Sequence, residues 1–190
     1  MSFRTEGNPV GEPSGAELAA AVARRLRRAG LIANATGAID AFLFLLFLVP
    51  ISGPTTGRAS TVIALNAAVG ALFLAWTLWF AARWGQREYV ARTAWLHTER
   101  RATEEERDEL LRYPVTAAGI SVAMWVLAAL TFTSLNAFLL PARAVAVSCV
   151  TLLLAGMTTA AITYLLAERN LRPVTARALA FGLPERSGLP

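Results

Sequence analysis

Four uninterrupted apolar blocks, each bounded by charge, constrain this chain more than any other feature. They cover 31–51, 60–82, 115–138 and 144–166. At 1.5 Å per residue the shortest reaches about 32 Å as a helix, enough to cross a hydrocarbon core of roughly 30 Å. A soluble core would alternate apolar and polar residues at a period of 3.6 or 2. These blocks instead put hydrophobic side chains all round. The expectation is therefore an all-α integral membrane fold, a four-helix antiparallel transmembrane bundle with cytoplasmic helical extensions. The first block is too long, and begins too late, for the core of a signal peptide.

Between the blocks the sequence changes character. Residues 1–30 form a cytoplasmic N-terminal segment, 31–168 the transmembrane domain, and 169–190 a cytoplasmic linker. The first fifteen residues are rich in Gly, Pro, Ser and Glu, a disordered composition. Ser14 and Glu17 have the spacing of a capping box. Leu18, Val22 and Leu26 then share a face, with Arg24, Arg25, Arg27 and Arg28 around its end. Two readings stand for this segment: a basic amphipathic helix lying on anionic lipid, or a plain positive flank. Residues 52–59, with Gly53, Pro54 and Gly57, read as a short loop. Trp76, Trp79, Phe80 and Trp84 suit a membrane interface. The segment 83–113 carries seven arginines and seven acids. Within it Thr103 and Glu106 repeat the capping-box spacing, and Pro114 is expected to interrupt or restart the helix. Residues 139–143 form a tight turn around Pro141, and the tail is expected to stay helical to Ala180.

Orientation follows from the arginines. All 18 basic residues are Arg, in a composition that suits a GC-rich bacterium. Five lie in the N-terminal segment, seven in the middle segment and four in the tail, against Arg58 and Arg143 alone in the two short loops. By the positive-inside rule this predicts a multi-pass protein of the cell membrane with both termini cytoplasmic. The pI near 10.6 is then a topology signal, and nucleic acid is not an expected partner. No metal or cofactor is expected: His97 is the sole histidine, in a charged stretch, and Cys149 lies alone in an apolar block.

Asp40 is the most unusual residue. A charged carboxylate near the middle of a span costs on the order of 3 kcal/mol, so this one is expected to be neutral or hydrogen-bonded. Ala33, Gly37 and Ala41 form a small-residue stripe beside it, which places Asp40 toward the bundle, against the fourth helix. Thr158 and Thr159 fall at the same depth. Interhelical glue and a ligand or sensing role both remain open. Ala64, Ala68, Ala71 and Ala75 in the second span, and Gly156 and Ala160 in the fourth, read as packing surfaces.

The exit from the last span reads YLLAERNLRPVTARAL and is preceded by LLRYPVTAAGISVAMWVLAALTFTSLNAFL. Together these resemble the membrane anchor of actinobacterial class III adenylate cyclases, over about 110–190. In that family a six-helix membrane domain leads through a HAMP linker to a catalytic domain. The resemblance implies a membrane-anchoring or sensory role in cAMP signalling, with Glu168, Arg169, Arg172 and Pro173 as a transmission linker. It also implies a homodimer, or a downstream cyclase half, as partner. The chain stops at GLPERSGLP, where the fifth and sixth spans of the family would begin, so a truncated or split anchor is the expectation. Family catalytic domains need two metal-binding aspartates and a base-selecting lysine. This chain has no lysine, and Asp40 and Asp108 are its only aspartates. No catalytic residue carries over, and the chain as given is not expected to be an enzyme. The alternatives are a stand-alone membrane protein that senses a lipid or apolar ligand and, third, a transporter fragment.

Overall fold

The computed structural model describes residues 13–48, 56–98 and 100–180, with side chains at all of these except 42, 44–48 and 56–59. It is helical, with no strand among the described residues: α1 (Gly15–Leu48), α2 (Thr56–Arg92), α3 (Ala94–His97), α4 (Glu104–Ala137) and α5 (Ala142–Ala180). Three helices, α2, α4 and α5, are long and apolar enough to cross a membrane. The first apolar block ends at 49–51, and the loop expected over 52–59 begins there too; residues 49–55 lie outside the described residues, as do 1–12 and the tail beyond Ala180.

Both capping boxes form. The Ser14 backbone N–H donates to Glu17 Oε2 (2.9 Å) and the Glu17 N–H to Ser14 Oγ (3.2 Å). At α4 the Thr103 N–H donates to Glu106 Oε2 (2.9 Å) and the Glu106 N–H to Thr103 Oγ1 (3.2 Å). Each reciprocal pair satisfies two backbone donors that the helix itself leaves without partners. Glu104, Glu105 and Glu106 also place negative charge on the positive end of the α4 dipole.

One expected break does not form. Pro114 lies buried inside α4, which runs through it without interruption. The residue before it, Tyr113, is buried in a core shared with the other helices. Likewise, the N-terminal amphipathic helix and the first span are one helix, because nothing between Arg28 and Leu31 breaks helical geometry. The apolar face of that segment is not free for lipid. Ala19 and Val22 are buried in a protein core, with Leu18, Ala23 and Leu26 packed against it.

α5 stands at the centre. It turns back along α4 through residues 138–141, where the Leu139 and Leu140 N–H groups donate to the Asn136 carbonyl (3.0 and 2.9 Å). On its other side it runs antiparallel to α1: Ala19 and Val22 share a core with Val174 and Ala178, and Ala41 shares another with Leu152 and Ala155. α2 lies outside α4, also antiparallel. Asn66 meets Asn136, Phe73 meets Phe132 and Tyr89 meets Tyr113. The apolar residues Ile63, Leu72 and Trp79 of α2 are exposed, as lipid-facing side chains are.

The two cores differ in kind. The one around Ala41, Ala129, Leu152 and Ala155 is built of small and aliphatic residues within the apolar blocks. The larger one lies outside them and collects Val22, Tyr89, Trp95, Leu96, Leu110, Tyr113, Leu171 and Val174 from all five helices. The charged segment 83–113 is thus a folded cap: α3 drops Trp95 and Leu96 into this core beside Thr93, all three at most 2% exposed.

Candidate functional site: a carboxylate-bearing groove between the first and last helices

The small-residue stripe of α1 does what its spacing predicts. Ala33, Gly37 and Ala41 are all buried, and they bring α1 close to α5. A Cβ on Gly37 would collide with Thr159 Oγ1 and come within 2.8 Å of Trp125 Cζ2. Gly156 of α5 lies under the same indole: a Cβ there would overlap Trp125 Cβ and sit 2.8 Å from Cγ. One tryptophan from α4 is therefore wedged between two glycines, which fixes the separation of three helices.

Beside this crossing an open groove of about 160 Å³ is lined by Asp40, Ala41, Thr151, Leu154, Ala155 and Thr158. The sequence-predicted residues divide here. Asp40 and Thr158 line the groove together, and both are exposed. Thr159 faces the helix crossing and is fully buried. Asp40 is not buried against α5 as expected. It sits at the rim of the contact because the buried line of α1 runs through Gly37 and Ala41 on either side of it. Nor does it have a hydrogen-bond or ion-pair partner among the described residues. The threonines turn inward to their own helix, with Thr158 Oγ1 donating to the Leu154 carbonyl (3.1 Å), Thr159 Oγ1 to Ala155 (2.8 Å) and Thr151 Oγ1 to Val147 (2.8 Å). Chemically the groove is an apolar trough with one anionic or acidic group at its edge.

The polar link between helices lies elsewhere, at a position that the sequence did not single out. Asn66 Nδ2 donates to Asn136 Oδ1 and Asn136 Nδ2 to Asn66 Oδ1, both at 2.9 Å. Each amide also donates to its own helix, at Val62 and Phe132. The signal was available as two amides in separate spans, each within two turns of a short-loop end, but isolated asparagines carry no charge to draw notice.

The transmission residues occupy the far end of α5. Glu168 and Arg172 form an exposed i,i+4 pair at 3.6 Å, and Arg169 and Pro173 are exposed as well. Pro173 lies inside the helix and deprives the Arg169 carbonyl of its usual donor. Between these exposed positions Leu171, Val174 and Ala178 point into the larger core. Next to that core Arg92 pairs with Glu88 (3.1 Å), and its guanidinium lies 5.5 Å from the centroid of the Tyr113 ring. The Tyr89 hydroxyl donates to the Ala19 carbonyl (3.0 Å), tying α2 to α1. Burial pushes both the Tyr89 and Tyr113 phenols above the ordinary tyrosine value. His97 is exposed at the end of α3.

No family model matches the chain, and neither the curated proteins nor the solved structures contain a match to it.

Proposed function

We infer that the chain is the membrane domain of a signalling protein: a four-span bundle of the cell membrane that senses an event between its helices and passes it to its cytoplasmic cap. The observation that supports this most is the continuity of α5. One unbroken helix supplies Thr151, Leu154 and Thr158 to the Asp40 groove and Leu171, Val174 and Ala178 to the core outside the membrane. A shift of α5 at the groove has no loop in which to dissipate before it reaches the cap. The resemblance of 110–190 to cyclase anchors agrees with that role. The output would pass to a catalytic domain, since these residues include no cyclase set. Both termini and the segment 83–113 are cytoplasmic in this reading, on the strength of the arginine distribution. Cysteine labelling from outside should then modify Thr56→Cys and spare Thr98→Cys in a Cys149→Ala background; the reverse pattern overturns the topology.

The sensing step is tested with a spin label at Ala176→Cys, an exposed position on α5 beyond Pro173. Asp40→Asn keeps size and hydrogen-bonding capacity without ionising, and Asp40→Leu removes both. Label mobility that responds to pH or added lipid in the parent, and that is fixed in the Asn and Leu variants, is the expected result. Identical spectra for all three under every condition would remove the support for coupling. A second reading, a stand-alone protein that holds a lipid chain or other apolar ligand, is favoured by the groove walls Ala41, Leu154 and Ala155. It predicts ligand-dependent thermal stabilisation without any change at Ala176.

A further inference from the structure

We propose that the cytoplasmic end of the bundle carries a belt of guanidinium groups that binds the phosphates of anionic phospholipids in preference to zwitterionic ones. The proposal rests on the membrane reading given above and adds a lipid class and named residues to it. The antiparallel contacts set the level of each helix. Ala19 and Val22 share a core with Val174 and Ala178, so Arg28 of α1 comes level with Arg169 of α5. The Tyr89–Tyr113 ring pair, with centroids 6.4 Å apart, likewise brings Arg87 of α2 and Arg112 of α4 to within a turn of one height. The turn between α4 and α5 sets 112 of α4 opposite about 169 of α5, which closes the circuit.

At this level α1, α4 and α5 change their outward chemistry within about a turn. On α1, exposed Arg24, Arg27 and Arg28 give way to Leu31, 52% exposed, and Ile32. On α4, Arg112 gives way to Val115, 63% exposed; on α5, Arg169 follows Leu165, 62% exposed. Three or four residues of helix span about 5–6 Å. The headgroup layer on each side of the hydrocarbon is of similar thickness. Arg28, Arg112 and Arg169 therefore stand in that layer when Leu31, Val115 and Leu165 stand in hydrocarbon. Arg24 and Arg27 lie deeper in the cytoplasm by up to a turn and reach back along their flexible stems.

Charge pairing within the protein does not consume these groups. Among the described residues the ion pairs are Arg92–Glu88, Arg100–Glu106 and Arg172–Glu168, and none of the six belt arginines takes part in one. Nor can the α1 segment turn its arginines away from the bilayer by rolling, because Ala19, Val22 and Ala29 on the opposite face are buried in the protein. The planar guanidinium fork matches phosphate oxygens in pairs. Each basic group near an anionic leaflet adds to the attraction, and salt weakens it.

The test uses the full chain in detergent with an equimolar supply of phosphatidylglycerol and phosphatidylcholine, followed by gel filtration and quantification of retained lipid. The parent should retain phosphatidylglycerol severalfold over phosphatidylcholine, less so in about 0.5 M salt. Changing Arg24, Arg27, Arg28, Arg87, Arg112 and Arg169 to Gln together should return the ratio to that supplied. The α1 triple variant alone should lose part of the preference, which covers the case in which the sixfold variant does not fold. Arg101→Gln with Arg143→Gln, away from the belt, should leave the ratio unchanged. Retention at the supplied ratio in the parent, or an undiminished preference in a folded sixfold or triple variant, overturns the proposal. So does displacement of the bound lipid by inorganic phosphate, which would identify a free-anion site. If the chain retains neither lipid and stays soluble without detergent, the membrane reading itself fails instead.

Discussion

At the scale of single residues, the fold depends on atoms that are missing. Gly37 and Gly156 let α1 and α4 close on α5 with Trp125 between them. Inside a bilayer there is no hydrophobic drive between helices, so close van der Waals contact must supply the association. Gly37→Ala should therefore lower stability in detergent by about 1–3 kcal/mol, the usual cost of overpacking. Thr159 is fully buried and cannot retreat. A methyl group at Gly30, on the same helix, would meet nothing within 4 Å, so Gly30→Ala should be neutral or gain up to about 1 kcal/mol from helix propensity. The thermal midpoint should fall for Gly37→Ala and hold or rise for Gly30→Ala, and equal losses would mean that the crossing is looser than described. The Asn66–Asn136 pair makes a second residue-scale prediction. A double-mutant cycle with Asn66→Leu and Asn136→Leu should return a coupling of about 0.6–2 kcal/mol. A coupling indistinguishable from zero would assign the α2–α4 contact to apolar packing around Phe73 and Phe132 instead.

Among the elements, the start of α4 has the most definite electrostatics. Glu106 accepts from the Thr103 N–H and also meets Arg100, whose Nη1 lies 2.7 Å from its Oε2. The hydrogen bond to Arg100 is the largest cause that holds its carboxyl down to about 2, with the Thr103 backbone helping against partial burial. Because the folded value lies below the unfolded one, the contribution is full above the ordinary glutamate range. It is lost as pH falls through that range toward about 2. Amide protection over 104–107, taken relative to intrinsic exchange at each pH, should fall on acidification in the parent. In Glu106→Gln it should already be lower at neutral pH and should respond less to acid; the same pH response in both would assign the effect to other carboxylates. This cap was legible in the sequence because S/T-x-x-E is a local signal that short-range geometry enforces. Three of the four spans, the turn at Pro141 and the helical course of the tail as far as Ala180 were legible for the same reason, through continuous apolarity and the absence of breakers. Pro114 and the α1 arginine segment were not. Whether a proline breaks a helix, or an amphipathic face meets lipid or protein, depends on neighbours distant in sequence. Here Trp95 and Leu96, inside what reads as a solvated charged stretch, complete the core that covers Val22. Asp40 was found by its charge, but its position at the rim depends on which line of α1 contacts α5, and a stripe of small residues fixes that only to within a neighbouring residue.

For the whole molecule, two environments share one set of helices. The apolar half buries small side chains and shows its large ones outward, while the cap buries tyrosine, tryptophan and leucine as a water-facing core does. Each half has its own packing free energy, and α5 is the longest element common to both, at 39 residues. A helix is stiff along its axis, so displacement in one half is either absorbed by bending at Pro173 or carried into the other. Pro173 lies within the cap, C-terminal to Leu171, and the 23 residues from Cys149 to Leu171 contain no proline or other break. Loosening the cap at Leu171 should therefore be felt at Cys149, about 33 Å away along the helix. Leu171→Ala removes a side chain that is 2% exposed and should cost about 2–5 kcal/mol. Leu179→Ala, on the exposed side of the same helix, is the control. Cys149, the sole cysteine, is half-buried beside Ala129 and Leu152 and so reports on the apolar half without any added label. Its reaction with a membrane-permeant maleimide should be faster in Leu171→Ala than in the parent, and unchanged in Leu179→Ala. Equal rates in all three, with the Leu171→Ala cap shown to be loosened by amide exchange at 89–113, would mean that the halves are mechanically independent. Signal transfer through α5 would then lose its physical basis, while the membrane fold and the guanidinium belt would stand.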